Sequence, residues 1–203
     1  MQVAFLLFDE IAALDAVGPY EVLARLPGAE MVFVALKPGP IRASGGLVLQ
    51  AECSLAEVTK PDVLIVPGGA GVRPLIVDEA LLSWLRKVHA GSTWTASVCT
   101  GALLLGAAGI LRGLRATTHW RSHELLSSYG AVPVHERVVE DGKVITAAGV
   151  SAGIDLALVL ASRLAGERIA QAIQLGIEYD PEPPFDCGRP EKAGPEIVAM
   201  LDQ

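Results

Sequence analysis

The chain has 203 residues, 51% of them hydrophobic, and a formal net charge of -7. That length suits one domain with a core of its own, held without disulfide or metal staples. The acidic balance repels phosphate backbones and argues against a nucleic-acid partner, and no apolar run approaches the roughly 20 residues that cross a bilayer, so no membrane role is expected.

The N-terminal stretch MQVAFLLFDEIAALD has no basic start and reaches an acid at Asp9, so it does not read as a signal peptide. Residues 3–8 (VAFLLF) form a continuous apolar run, which predicts a strand covered on both faces. Residues 9–13 read as a loop carrying Leu14 and Asp15, and Gly18-Pro19 punctuates before a helix that starts at Pro19 and runs through Leu26. Residues 31–36 predict a second strand, 37–40 a turn, and 47–50 a short strand in a hairpin with 41–44. Residues 63–66 (VLIV) predict a third buried strand that ends at Pro67-Gly68-Gly69. A helix follows over 78–89, with Asp78 as N-cap or first-turn acid and Gly91 as its stop.

Residues 94–98 predict a fourth strand ending at Cys99, and 101–108 a helix of small residues closed by Gly109. Residues 115–117 lead to His119-Trp120 and then a helix to Tyr129. Residues 138–139 and 144–146 pair around the turn Asp141-Gly142. Helices are predicted over 152–164 and 168–177, and the proline-rich tail from Asp180 allows one short C-terminal helix. Strands alternating with helices predict a mostly parallel sheet between helical layers, in one domain over 1–203.

The three cysteines, Cys53, Cys99 and Cys187, suggest neither a disulfide framework nor a CxxC metal site, which fits a reducing, cytoplasmic setting. Cys53 and Cys187 read as small buried hydrophobes. Cys99 stands at a strand's carboxyl end, where open α/β sheets gather ligands, and at a helix N-terminus, whose N–H groups favour a thiolate. The pattern is a strand–nucleophile–helix elbow, with Gly101 leaving room beside the sulfur. Asp15, in apolar company, is either a helix cap or an acid with chemistry to do. Glu21 is either a solvated helix acid or one that faces the pocket. Gly68 and Gly69 would let backbone N–H groups face a ligand, as an oxyanion hole or phosphate loop, or would form a plain tight turn. The dinucleotide pattern fails at Pro74, and there is no Walker lysine. His119 and His123 would share a helix face as metal ligands do, but the zincin pattern needs Glu where Trp120 stands. No metal or organic cofactor is expected.

Together, "FLLFDEIAALDAVGP", "VLIVPGGAG", "SVCTGALLLGAAGIL", "RATTHW" and "ITAAGVSAGIDLAL" resemble the ThiJ/PfpI superfamily along nearly the whole chain. The resemblance implies a flavodoxin-like three-layer α/β sandwich with a cysteine nucleophile elbow, and a homodimer. Within that superfamily the chain is most similar to isocyanide hydratases. Thr100 follows the cysteine where other branches carry histidine. Asp15 stands in an "LD..GP" loop where they carry glutamate, and "QLGIEYDPEPPFDCG" is similar to the C-terminal part of that subgroup. By resemblance Cys99 is the nucleophile, Asp15 the general acid/base, and Thr100 flanks the reacting atoms. Gly68, Gly69 and the turn Gly149-Val150-Ser151 would line a mostly apolar pocket, with Trp120 and Val150 in its wall; His119, on its own sequence context, either reaches that pocket or is a hydrogen-bonded residue behind it. The implied reaction hydrates a small-molecule isocyanide to an N-substituted formamide through a cysteine thioimidate.

Two rivals stay open. Glyoxalase or deglycase chemistry on small aldehydes would need Glu21 at the sulfur. A non-catalytic ligand- or redox-sensing domain would relate the chain to AraC-type regulators, which share "RATTHW" and "SAGIDLAL". Those regulators append a helix-turn-helix domain of several helices, and the sequence after the proline-rich tail holds about one.

Overall fold

The continuous apolar runs become the strands of a central sheet in the computed structural model, which describes residues 1–201. The first half of the chain forms β1 (Gln2–Leu6), α1 (Ala13–Leu23), β2 (Glu30–Ala35), β3 (Gly39–Arg42), β4 (Val48–Ala51), β5 (Cys53–Ser54), β6 (Val63–Val66), α2 (Val72–Leu75) and α3 (Glu79–Gly91). The second half forms β7 (Trp94–Val98), α4 (Gly101–Ala107), β8 (Arg115–Ala116), α5 (Leu125–Ser128), β9 (Val132–Pro133), β10 (Val138–Asp141), β11 (Val144–Ala147), α6 (Ala152–Ala165), α7 (Glu167–Gly176) and α8 (Pro190–Met200).

Seven strands pair in the order β10-β11-β7-β6-β1-β2-β5. Every pair is parallel except the β10–β11 hairpin. All four residues of β6 are buried, as a central strand covered on both faces requires. Phe5 of β1 registers with Phe33 of β2 and with Ile65 of β6. Helix α1 packs on α6, which covers β7 and β11, while α2 and α3 pack on α4, which covers β6 and β7. The result is a three-layer, flavodoxin-like α/β sandwich. Among the described residues no helix is long and apolar enough to cross a membrane.

Helix α1 departs from the sequence expectation. It begins at Ala13, so Asp15 lies in its first turn and Pro19 inside it. An interior proline costs a helix about 3 kcal/mol, because it has no N–H for the carbonyl four residues back. Here that carbonyl belongs to Asp15. Close packing offsets the loss: a Cβ on Gly153 of α6 would touch Pro19 at 3.2 Å, and one on Gly18 would touch Ile154 at 3.1 Å. The predicted helix to Tyr129 is broken into a 3-10 turn, Trp120–Ser122, and α5. Helix α3 runs through Gly91 and ends at Ser92, and Asp78 caps it by accepting from the Leu81 N–H at 3.0 Å. Cys53 is half-buried and Cys187 exposed, so neither is the buried hydrophobe expected.

Candidate active site

Four neighbouring parallel strands end at one place. Helix α1 with Asp15 follows β1, Gly68 and Gly69 follow β6, Cys99 follows β7, and Gly149-Val150-Ser151 follow β11. The chain runs from β1 outward to β2 and returns to β6 on the other side of β1, so the direction of winding reverses between β1 and β6. Crevices form at such reversals in open α/β sheets.

Cys99 is a true elbow. Its φ is +56°, a left-handed value uncommon for a residue with a side chain. Its N–H donates to the carbonyls of Ala147 (3.1 Å) and Ala148 (2.9 Å), and its own carbonyl accepts from the Thr118 hydroxyl at 2.7 Å. The amide and hydroxyl of Thr100 both reach the sulfur. A Cβ on Gly101 would overlap the Val66 carbonyl oxygen, so only glycine lets α4 start this close behind the turn.

Asp15 is fully buried. Its Oδ2 accepts from the Gly68 N–H at 2.8 Å, while Oδ1 is buried without a hydrogen-bond partner. The carboxyl meets the Cys99 thiol. Burial pushes the Asp15 pKa from 3.8 up to about 7, with the Gly68 N–H and the thiol pulling the other way. Burial, and next the Asp15 charge, pushes the Cys99 thiol from 9.0 up to about 12, against the donors on Thr100. Both causes run against an easily formed thiolate: Cys99 is only 5% exposed, and lost hydration disfavours its charged form.

The glycine amides are spent inside the protein. Gly68 N–H binds Asp15, and Gly69 N–H donates to Thr100 Oγ1 at 2.9 Å. They therefore aim two side chains rather than stand open as an oxyanion hole or phosphate cradle. Gly69 itself has φ +135°, and its turn is tied to Ile11, just ahead of α1.

The remaining candidates lie nearby with mixed outcomes. His119 is half-buried, and its Cδ2 would lie 3.6 Å from a Cβ on Gly149. Burial, and then the Arg121 charge, holds its imidazole below the usual pKa. The Trp120 ring lies tilted by 34° against His119 with centroids 5.6 Å apart, and the Arg121 guanidinium lies 5.2 Å from the centre of the Trp120 ring. Trp120 also borders a cavity of about 110 Å³ shared with Cys187, Pro190 and Ile197. Val150 packs against the core, whereas the exposed Ser151 receives Arg137 Nη2 at 3.3 Å.

His123 does not join His119. The helix meant to align them is broken, and His123 is buried in a stack on His135, with ring centroids 3.7 Å apart. Glu21 does not face the sulfur either; it is exposed and paired with Arg25 at 2.7 Å. A larger cavity of about 560 Å³ lies over the ends of β1 and β2, lined in part by Phe8, Leu36, Ile41 and Leu75, and includes neither Cys99 nor Asp15. Sequence reasoning missed Thr118, whose only signal is its place in "RATTHW".

The profile of the DJ-1/PfpI family matches residues 1–163. Over 198 residues the chain is 48% identical to the isonitrile hydratase of Pseudomonas putida, covering 98% of this chain and 87% of that protein. The crystal structure of a ThiJ/PfpI family protein from Pseudomonas syringae superposes with a TM-score of 0.96 at 35% identity, covering 99% of this chain and 84% of that one. A further likeness, 38% over 135 residues, is to the HTH-type transcriptional regulator CdhR of Pseudomonas aeruginosa, and spans 65% of this chain but 40% of the regulator.

Proposed function

The chain belongs to the DJ-1/PfpI family, and we propose that within it this protein hydrates isocyanides to N-substituted formamides, with Cys99 as nucleophile and Asp15 as its proton partner. The observation that carries this reading is the meeting of a buried thiol with a buried carboxyl beyond the carboxyl ends of β1 and β7. The likeness to an isonitrile hydratase supports the choice of substrate.

The pair needs one proton between its two groups. With Asp15 ionised and Cys99 a thiol, the carboxylate takes the S–H proton as sulfur attacks the terminal carbon of R–N≡C. It then delivers that proton to the same carbon. The product is the thioimidate R–N=CH–S–Cys99, and Asp15 is again a carboxylate. Asp15 next takes a proton from water as the oxygen adds to the thioimidate carbon, and passes that same proton to the nitrogen. Collapse of R–NH–CH(OH)–S expels sulfur, returns the S–H proton and releases R–NH–CHO. Water is the only co-reactant, and neither a metal nor an organic cofactor enters.

Thr100 steadies the sulfur through its amide and hydroxyl. Gly68, Gly69, Gly149, Val150 and Ser151 line the approach with His119 and Trp120, and an uncharged substrate suits such a site. The working unit in this reading is a homodimer of one-domain chains in the cytoplasm; exposed Ile197, Met200 and Leu201 at the C-terminal end leave apolar surface for a partner copy. Aldehyde chemistry through Glu21 loses its support, because that carboxylate is engaged by Arg25 at the surface.

The test is formamide production from a panel of alkyl and aryl isocyanides, followed by NMR, with methylglyoxal in parallel and Cys99→Ala as control. Turnover of an isocyanide that vanishes in the variant is expected. Turnover of methylglyoxal alone, or full activity in the variant, contradicts the reading.

A further inference from the structure

We propose that Thr118 is a positioning residue for the nucleophile: its hydroxyl, donating to the Cys99 carbonyl at 2.7 Å, holds the left-handed elbow from which the sulfur meets Asp15. This rests on Cys99 being the nucleophile.

A residue with a side chain keeps φ +56° only where its surroundings over-determine it. Cys99 is gripped on both sides. Its N–H is held by Ala147 and Ala148, at the end of β11, and its carbonyl by Thr118. Ala102 N–H also approaches that carbonyl, but at 3.4 Å, beyond the usual range for such a bond.

The grip is itself anchored. Thr118 is 1% exposed, and the N–H of the adjacent Thr117 donates at 2.9 Å to Thr146 Oγ1 on β11, the strand that also supplies Ala147. Residues 117–118 and 146–148 therefore close around the elbow from two directions. In so buried a place water does not replace a lost hydroxyl, and the carbonyl is left short of a partner. The elbow then relaxes toward an ordinary φ and carries the sulfur away from Asp15 and Thr100.

The test compares Thr118→Ser, Thr118→Ala and Thr118→Val by two readouts. The first is the pH dependence of Cys99 alkylation by iodoacetamide, which needs no isocyanide. The second is kcat and KM for an isocyanide that the wild-type protein turns over. Thr118→Ser should keep the wild-type alkylation midpoint and kcat. Thr118→Ala and Thr118→Val should move the midpoint toward that of an ordinary cysteine and lower kcat by about 10- to 100-fold with KM within about threefold.

Wild-type midpoints in the alanine and valine variants would overturn the proposal. So would a serine variant as impaired as alanine, since the lost methyl group would then be responsible. If the valine variant does not fold, the serine–alanine pair decides, because it differs by one oxygen. Should no isocyanide be hydrated while the alkylation midpoints still separate serine from alanine, the proposed function fails and the positioning role stands.

Discussion

At the scale of single residues, the decisive quantity is where one proton sits. With Asp15 raised to about 7 and Cys99 to about 12, the pair holds two protons below neutrality and one proton across the alkaline range. The two-proton form has no base for the thiol. We therefore expect kcat/KM to rise with pH through about 7 and stay high beyond it, and this rise to disappear in Asp15→Asn, whose residual rate should be at least ~100-fold lower. A profile that falls above pH 7 would mean that protonated Asp15 is required in the free enzyme. The elbow at Cys99 was legible because a strand run, a cysteine and a small-residue helix abut in "TASVCTGALLLG". The raised thiol was not, because burial of a sulfur depends on what folds over it from 84 positions away. Thr118 was equally hidden, since its hydroxyl works through a backbone carbonyl.

At the scale of elements, the site depends on how closely backbones approach. A Cβ at Gly101 would overlap the carbonyl oxygen of Val66, and one at Gly68 would sit 2.5 Å from Thr100 N. Gly101→Ala should therefore displace α4 from the end of β6. A loss of about 2 kcal/mol or more in a denaturant titration, with activity lost in the protein that remains folded, is the expected result. Unchanged stability would show that the turn has slack. The longer strands of the central sheet were legible to within about two residues because continuous apolar runs have few alternatives in a covered parallel sheet, as at Val63–Val66 and Trp94–Val98, whereas the two-residue edge strand β5 was not. The start of α1 was not. Gly18-Pro19 is a break signal by local rules, and only the facing surface of α6, with Gly153 against Pro19, lets the helix pass through it. The pieces between Ala116 and Leu126 were also misread, since His123 leaves the helix pattern for a stack on His135.

At the scale of the whole molecule, the chemistry has a stability cost that pH reveals. The pKa of Asp15 is higher folded, about 7, than its ordinary 3.8. Its contribution to stability is thus full below about pH 4 and is lost as pH rises through about 7. Asp15→Asn keeps an acceptor for Gly68 N–H but never ionises, so its stability relative to wild type should improve between pH 5 and 7 by about 1 kcal/mol per unit, then level off. Urea unfolding of both proteins across that range measures it, and a constant difference would place the carboxyl in a wetter site. The architecture was legible from the alternation of strand and helix runs; the small β8–β9 pairing was not, since two-residue strands carry no period.

The most direct test of the central claim is mass spectrometry of wild type, Asp15→Asn and Cys99→Ala, each quenched during turnover of an isocyanide. The account predicts an adduct of the substrate's mass on the peptide holding Cys99 in wild type, little or none in Asp15→Asn, and none in Cys99→Ala. An adduct on Cys53 or Cys187 instead, or formamide made at the wild-type rate by Cys99→Ala, would contradict it.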